Sequence, residues 1–170
     1  MKISKLIKPF IVLIWLLNIN ILVRSQSKQL IYEGASQGTE WSVYLLDKKL
    51  IKKIELGGDT RRLYLVNLEI DNSYSGNSQQ TNLIQCSTAQ PFVAFKDDRD
   101  RHMAIIHYIN PGEEPYGYNS GSHWNYWAVC HNLFDAWKYN LNLKANQLGY
   151  STKLNSEQIE IPSELLQYLK

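Results

Sequence analysis

The side chains able to do chemistry in this 170-residue chain are two cysteines, four histidines and a crowd of aromatic residues. Cys130-His131 sets a thiol beside an imidazole, the pairing a thiolate nucleophile uses. On the strand expected there, adjacent side chains point to opposite faces, so the two are badly placed to meet. His102, His107, His123 and His131 form no His-x-x-x-His or His-Glu-x-x-His pair, and no acid stands beside them at metal-ligand spacing. His107, His123 and His131 can share a site only through tertiary structure. The carboxylate doublets Asp97-Asp98 and Glu113-Glu114 read as a charged turn and a solvated loop rather than a hydrolytic pair. Neither a nucleophile elbow nor a phosphate loop occurs, and no catalytic residue, metal ligand or cofactor follows from these patterns. The aromatic segment is richer. Tyr116, Tyr118, Trp124, Tyr126 and Trp127 crowd residues 110–130 among Gly, Asn and Ser. Flat rings with polar edges stack on sugar faces or anchor protein interfaces, which makes Tyr116, Tyr118, Trp124 and Tyr126 the candidate ligand-binding residues. The competing reading places Trp124 or Trp127 in the core and leaves the tyrosines to close the loop.

The compartment follows from the N-terminus. Lys2, Lys5 and Lys8 precede a nearly unbroken apolar run from Pro9 to Val23, and Val23-Arg24-Ser25 suits a signal peptidase. Residues 1–25 therefore read as a signal peptide and residues 26–170 as a single secreted or periplasmic domain. An uncleaved anchor is the alternative, although the run is short for a membrane span and Asn18 and Asn20 interrupt it. Two thiols delivered to an oxidising compartment pair, so Cys86 and Cys130 are expected to form a disulfide. Charge changes sign with the signal. Four of the 18 basic residues lie in it, leaving 14 against 16 acidic, so +2 becomes −2. That balance gives no basic footprint for nucleic acid. The doublets Lys48-Lys49 and Lys52-Lys53 read as a solvated hairpin rather than a polyanion site.

The elements that must position these groups are mainly strands. Residues 41–45 open with aromatic and β-branched residues, Asp47-Lys48-Lys49 looks like a turn, and Gly57-Gly58-Asp59 is a strong hairpin signal. Residues 62–70 alternate, with Tyr64, Val66, Leu68 and Ile70 on one face. Residues 71–82 read as a flexible loop, and Pro91 as the start of a strand. Residues 103–109 and 124–130 read as further strands. A helix is expected from Asn132 to about Gly149 on the stripe Leu133, Phe134, Trp137, Leu141, Ala145 and Leu148, with a short final helix at 163–169. The sum is an α+β domain: an antiparallel sheet of six or seven strands covered by a C-terminal helix.

Trp41 with the Asp47-Lys48 turn, the strand from Leu63 to Ile70, Cys86 and the terminal Val129-Cys130 together resemble the small secreted domains of the surface-adhesin protein E-like family. The resemblance covers roughly residues 40–131. It implies antiparallel β structure with accompanying helix, and adhesion to host extracellular-matrix protein. Residues 90–95, the 110–122 loop and the helix from Asn132 lie outside the pattern, and no binding residue transfers. Three functions follow as expectations. The first is an exported non-catalytic binding module for an extracellular protein or glycan. The second is a small secreted hydrolase or metal-dependent enzyme built on His107, His123 and His131. The third is a periplasmic inhibitor or envelope-assembly factor.

Overall fold

A computed structural model describes residues 28–115 and 117–169, with the Tyr118 side chain left out. The expected signal at 1–25 and the candidate Tyr116 lie outside the described residues. Seven strands, β1 (Gln29–Ser36), β2 (Thr39–Leu56), β3 (Asp59–Asn72), β4 (Gly76–Cys86), β5 (Phe92–Lys96), β6 (Met103–Tyr108) and β7 (Glu157–Pro162), form one sheet in sequence order, antiparallel throughout. The α+β expectation holds. Gly57 and Gly58, at φ 58° and 83°, make the expected tight turn between β2 and β3, where a side chain would be strained. Pro91 precedes β5 as expected, and its carbonyl accepts a hydrogen bond from the Ile109 amide at 3.1 Å.

Several local expectations fail. Asp47-Lys48-Lys49 is not a turn. It sits inside the 18-residue β2, next to a bulge between Leu45 and Asp47, and a second bulge falls between Leu50 and Lys52. A bulge absorbs one extra residue and re-aims side chains without ending the strand. Residues 71–82 are not a loop either: only Ser73 to Ser75 turn, held by Asn72 Oδ1, and β4 then pairs with β3 down to Gly76. Polar composition there marks a solvated end of the sheet rather than lost pairing.

The larger correction concerns the helix. Residues 124–130 are not the last strand but most of α1 (Ser120–His131). Tyr126, Trp127, Ala128 and Val129 are all buried in α1, so the helix shows no polar stripe and no amphipathic period. Asn132 does not cap the start of a helix. It ends α1 in the left-handed conformation at φ 55°, its amide donating to the Trp127 carbonyl. Downstream, the expected helix is broken: a 3-10 turn covers Ala136–Lys138, Tyr139 is extended, and α2 runs only over Leu141–Gln147. Asn140 stops the continuation by accepting the Leu143 amide at 3.0 Å, an N-cap that competes with helix through its own position. Gly149 ends α2 as expected. The final helix expected at 163–169 is only a 3-10 turn at Ser163–Leu165, entered from β7.

α1 lies on one face of the sheet. Val43, Leu45, Val66, Leu68, Ile84 and Val93 meet Tyr126, Trp127 and Val129 there. The approach is close: a Cβ on Gly121 would sit 2.7 Å from the Tyr32 hydroxyl of β1. The other face carries Leu83, Ala94, Ala104 and Ile106, partly roofed by Leu166 and Leu169 of the tail. Cys86 at the end of β4 and Cys130 in the last turn of α1 form the expected disulfide, with Cα atoms 5.4 Å apart. It joins sheet to helix rather than strand to strand. Lys48 adds a second tie, donating from Nζ to the Val129 carbonyl at 2.7 Å. A cation at the carbonyl end of a helix also complements its dipole.

The disulfide closes a separation of 44 residues. In the chain-entropy picture that stabilises the fold by about 4 kcal/mol. Cys130→Ser should therefore lower the melting temperature by more than 10 °C, and thiol titration of native wild type should find no free thiol. An unshifted melting curve would show that the tie is redundant.

Candidate functional site

The aromatic candidates separate once placed. Tyr126 is fully buried in α1 and belongs to the core, as does Trp127. Tyr118 lies in a 3-10 turn, Gly117–Asn119, leading into α1. Trp124 is half-buried and lines a surface cleft of about 510 Å3. Sequence reasoning missed its main partners. Trp137 and Tyr139, 44 % and 48 % exposed, face the same cleft because the helix expected to bury Trp137 is broken there. The rings of Trp124 and Trp137 stand edge to face, centroids 6.3 Å apart at 80°. The signal that could have found this site was Tyr139-Asn140, an extended residue before an N-cap.

Polar groups ring the same cleft. Glu113, Glu114, Asn140 and Asn142 line it beside Gly112 and Pro115. Glu113 and Glu114 form no ion pair among the described residues. Asn140 commits its amide oxygen to the Leu143 amide, which leaves its amide nitrogen as a donor. Lys138 and Lys144 lie 5.8 and 5.7 Å from the ring centroids of Trp137 and Tyr139, which steadies both rings by cation–π contact. Flat apolar surfaces bordered by acceptors and an amide donor make a site for a ligand with apolar faces and hydroxyl edges.

The three histidines do not share a site. His107 on β6 and His123 on α1 lie near one another, while His131 is eight residues further along the helix, about 12 Å at the α-helical rise. His107 contacts Ser122 Oγ through Nδ1 at 2.7 Å and Gln158 Oε1 through Nε2 at 2.8 Å. With the amide oxygen able only to accept, Nε2 carries the proton and Ser122 donates to Nδ1. This has the form of a base-activated serine, but Ser122 is buried and neither residue lines a described cleft. It clamps the first turn of α1 to β6 and β7. His123 is fully buried, with both ring nitrogens unpartnered among the described residues. Those residues contain no group of three His, Cys, Asp or Glu side chains that could hold a metal.

His131 ends a hydrogen-bond chain whose direction the chemistry dictates. The Ser87 carbonyl only accepts, so the Tyr126 hydroxyl donates to it at 3.2 Å. Tyr150 must then donate to Tyr126, and His131 Nε2–H to Tyr150, both at 2.6 Å. The chain is neutral from end to end: burial raises the Tyr126 hydroxyl well above its ordinary range, lifts Tyr150 to about 12 and lowers His131 to about 4. Adjoining Cys130 and Cys86, it packs the disulfide into the core without giving His131 a thiolate partner.

Comparisons with family models, with curated proteins and with solved structures found no match.

Burial also holds His123 down to about 4, against an ordinary 6.5, with the neighbouring His107 adding to it. The unfolded chain therefore takes up protons first as pH falls. Stability is full above about pH 6.5 and drains toward pH 4. In NMR titration, the carbon-bound ring protons of His123 and His131 should keep their neutral shifts down to about pH 5. Titration of either near 6.5 would contradict the burial argument.

Proposed function

We propose that this protein is an exported, non-catalytic binding module whose ligand is a carbohydrate seated in the cleft of Trp124, Trp137 and Tyr139. The observation that carries this reading is the exposure of two aromatic rings beside an amide donor and two carboxylates that form no ion pair among the described residues. A sugar ring offers an apolar C–H face to stack on an indole and hydroxyls to donate to carboxylates, which is the pattern these residues complement. The sealed Ser122–His107 contact argues for a structural role of the histidines over a hydrolytic one.

Export is part of the same proposal. The Cys86–Cys130 disulfide fits an oxidising compartment, and the N-terminal sequence supplies the means of reaching it. No helix among the described residues is long and apolar enough to cross a membrane. The resemblance to the surface-adhesin protein E-like family is consistent with a binding role and adds no ligand.

A glycan array followed by calorimetry tests the reading. Wild type should bind at least one glycan class, and Trp137→Ala or Tyr139→Ala should each weaken binding ten-fold or more. Both rings are about half exposed, so the melting temperature should move little. Absence of any glycan ligand, or binding indifferent to both substitutions, would defeat the assignment.

A further inference from the structure

β1 pairs with β2 only as far as Leu45, and β4 pairs with β3 only as far as Arg62. Past Leu45, β2 is an edge paired among the described residues with β3 alone, and past Lys53 and Arg62, which face each other, the two strands continue by themselves as a short arm ending at Gly57-Gly58. The β2 side of the arm is exposed and its composition is unusual. Leu50, Ile54 and Leu56 are 47 %, 40 % and 56 % exposed and belong to neither hydrophobic cluster. Residues 47–62 also hold six of the 14 basic residues that remain after residue 25: Lys48, Lys49, Lys52, Lys53, Arg61 and Arg62.

The acids of the arm are already engaged. Asp59 is buried and paired with Arg61, accepting also from Ser87 and Thr88. Glu55 pairs with Lys53 at 2.9 Å, and Asp47 accepts from Asn67. Lys49, Lys52 and Arg62 form no ion pair among the described residues. Lys53 stands directly opposite Arg62 across the two strands, a like-charge placement that ordinarily destabilises a sheet.

Lysines and bulges on an unpaired strand protect it against edge-to-edge pairing. Protection explains the cations of β2 but not the three large aliphatic side chains left in water among them, which work against it. A tip-first contact with an anionic bilayer explains both. Leu56 and Ile54 lead, and Lys53 follows Leu56 by three residues, about 10 Å of extended chain. Apolar groups of interfacial elements sink roughly 5–10 Å past the headgroups, so the cations behind them would rest at phosphate level.

We propose that the β2–β3 arm is a membrane-surface anchor, taking the headgroups of an anionic lipid bilayer through Lys49, Lys52, Lys53 and Arg62 while Ile54 and Leu56 enter the interface. The anchor is independent of the carbohydrate cleft.

Vesicle co-sedimentation with the folded chain from residue 26 tests it. Wild type should bind vesicles of phosphatidylcholine with about 30 % phosphatidylglycerol, not phosphatidylcholine alone, and should release at about 0.5 M salt. Lys52→Glu should weaken binding by an order of magnitude or more, given about five-fold per unit of charge near an anionic surface. Leu56→Ser should weaken it while keeping the salt dependence. Trp137→Ala should bind as wild type, which separates this surface from the cleft. Equal binding to neutral vesicles, no vesicle binding, or retention on heparin without vesicle binding would each overturn the proposal. So would self-association in sedimentation that Leu56→Ser abolishes, since the arm would then be covered by a second copy.

Discussion

Everything in this fold depends on seating one largely buried helix, α1, against a meandering sheet. A surface helix hides one stripe and shows the other to water. Here His123, Tyr126, Trp127, Ala128 and Val129 are all withdrawn from solvent, so α1 needs cover on more than the one face the sheet provides. The sheet supplies one wall through Val43, Val66, Leu68, Ile84 and Val93. The chain that follows α1 supplies the rest, through Leu133, Phe134, Ala136, Leu141, Ala145 and Tyr150. Burying Tyr126 and Trp127 alone contributes several kcal/mol, since each aromatic side chain removes some 150–250 Å2 from water.

That seating is also costly at particular atoms. His123 Nδ1 and Nε2, Trp127 Nε1, Asn125 Oδ1 and Asn82 Oδ1 are buried with no partner among the described residues. Each such atom costs on the order of 1–3 kcal/mol. The offsets lie at the helix ends. Ser122 bonds to His107 at the start, while Lys48, the disulfide and the Ser87–Tyr126–Tyr150–His131 chain gather at the finish. Holding both ends leaves the middle no freedom to slide toward better partners.

The same covering chain builds the cleft. To wrap α1 the backbone leaves helical geometry at Tyr139, stays extended through Asn140 and re-enters it at Leu141, which turns Trp137 and Tyr139 outward beside Trp124. The aromatic surface is a by-product of how the helix is roofed. The cationic surface has a separate origin, since the edge of β2 opens where β1 ends at Leu45 and the two-stranded arm starts where β4 ends opposite Arg62.

Alternation in residues 62–70, Gly57-Gly58, Pro91 and two cysteines in a chain with an export-like start were enough to read an antiparallel α+β domain with one disulfide. Those signals are local: strand period, turn φ and the count of thiols do not depend on distant partners. The aromatic candidates were half legible. Trp124 lines the cleft, Tyr126 does not, and Trp137 and Tyr139 were assigned to a buried helix face or passed over. Residues 124–130 read as strand because Trp124, Tyr126, Trp127 and Val129 are strand-forming side chains, and a helix buried over most of its surface shows no polar phase to reveal its period. β1 carries little strand signal of its own, because Gln29–Ser36 alternates weakly and gains its place by pairing with β2. By itself, then, the sequence determined the antiparallel character of the sheet, the Gly57-Gly58 turn and the covalent tie. Which residues became helix, and which rings stayed in water, was decided only by tertiary burial, because a side chain's exposure depends on what packs over it.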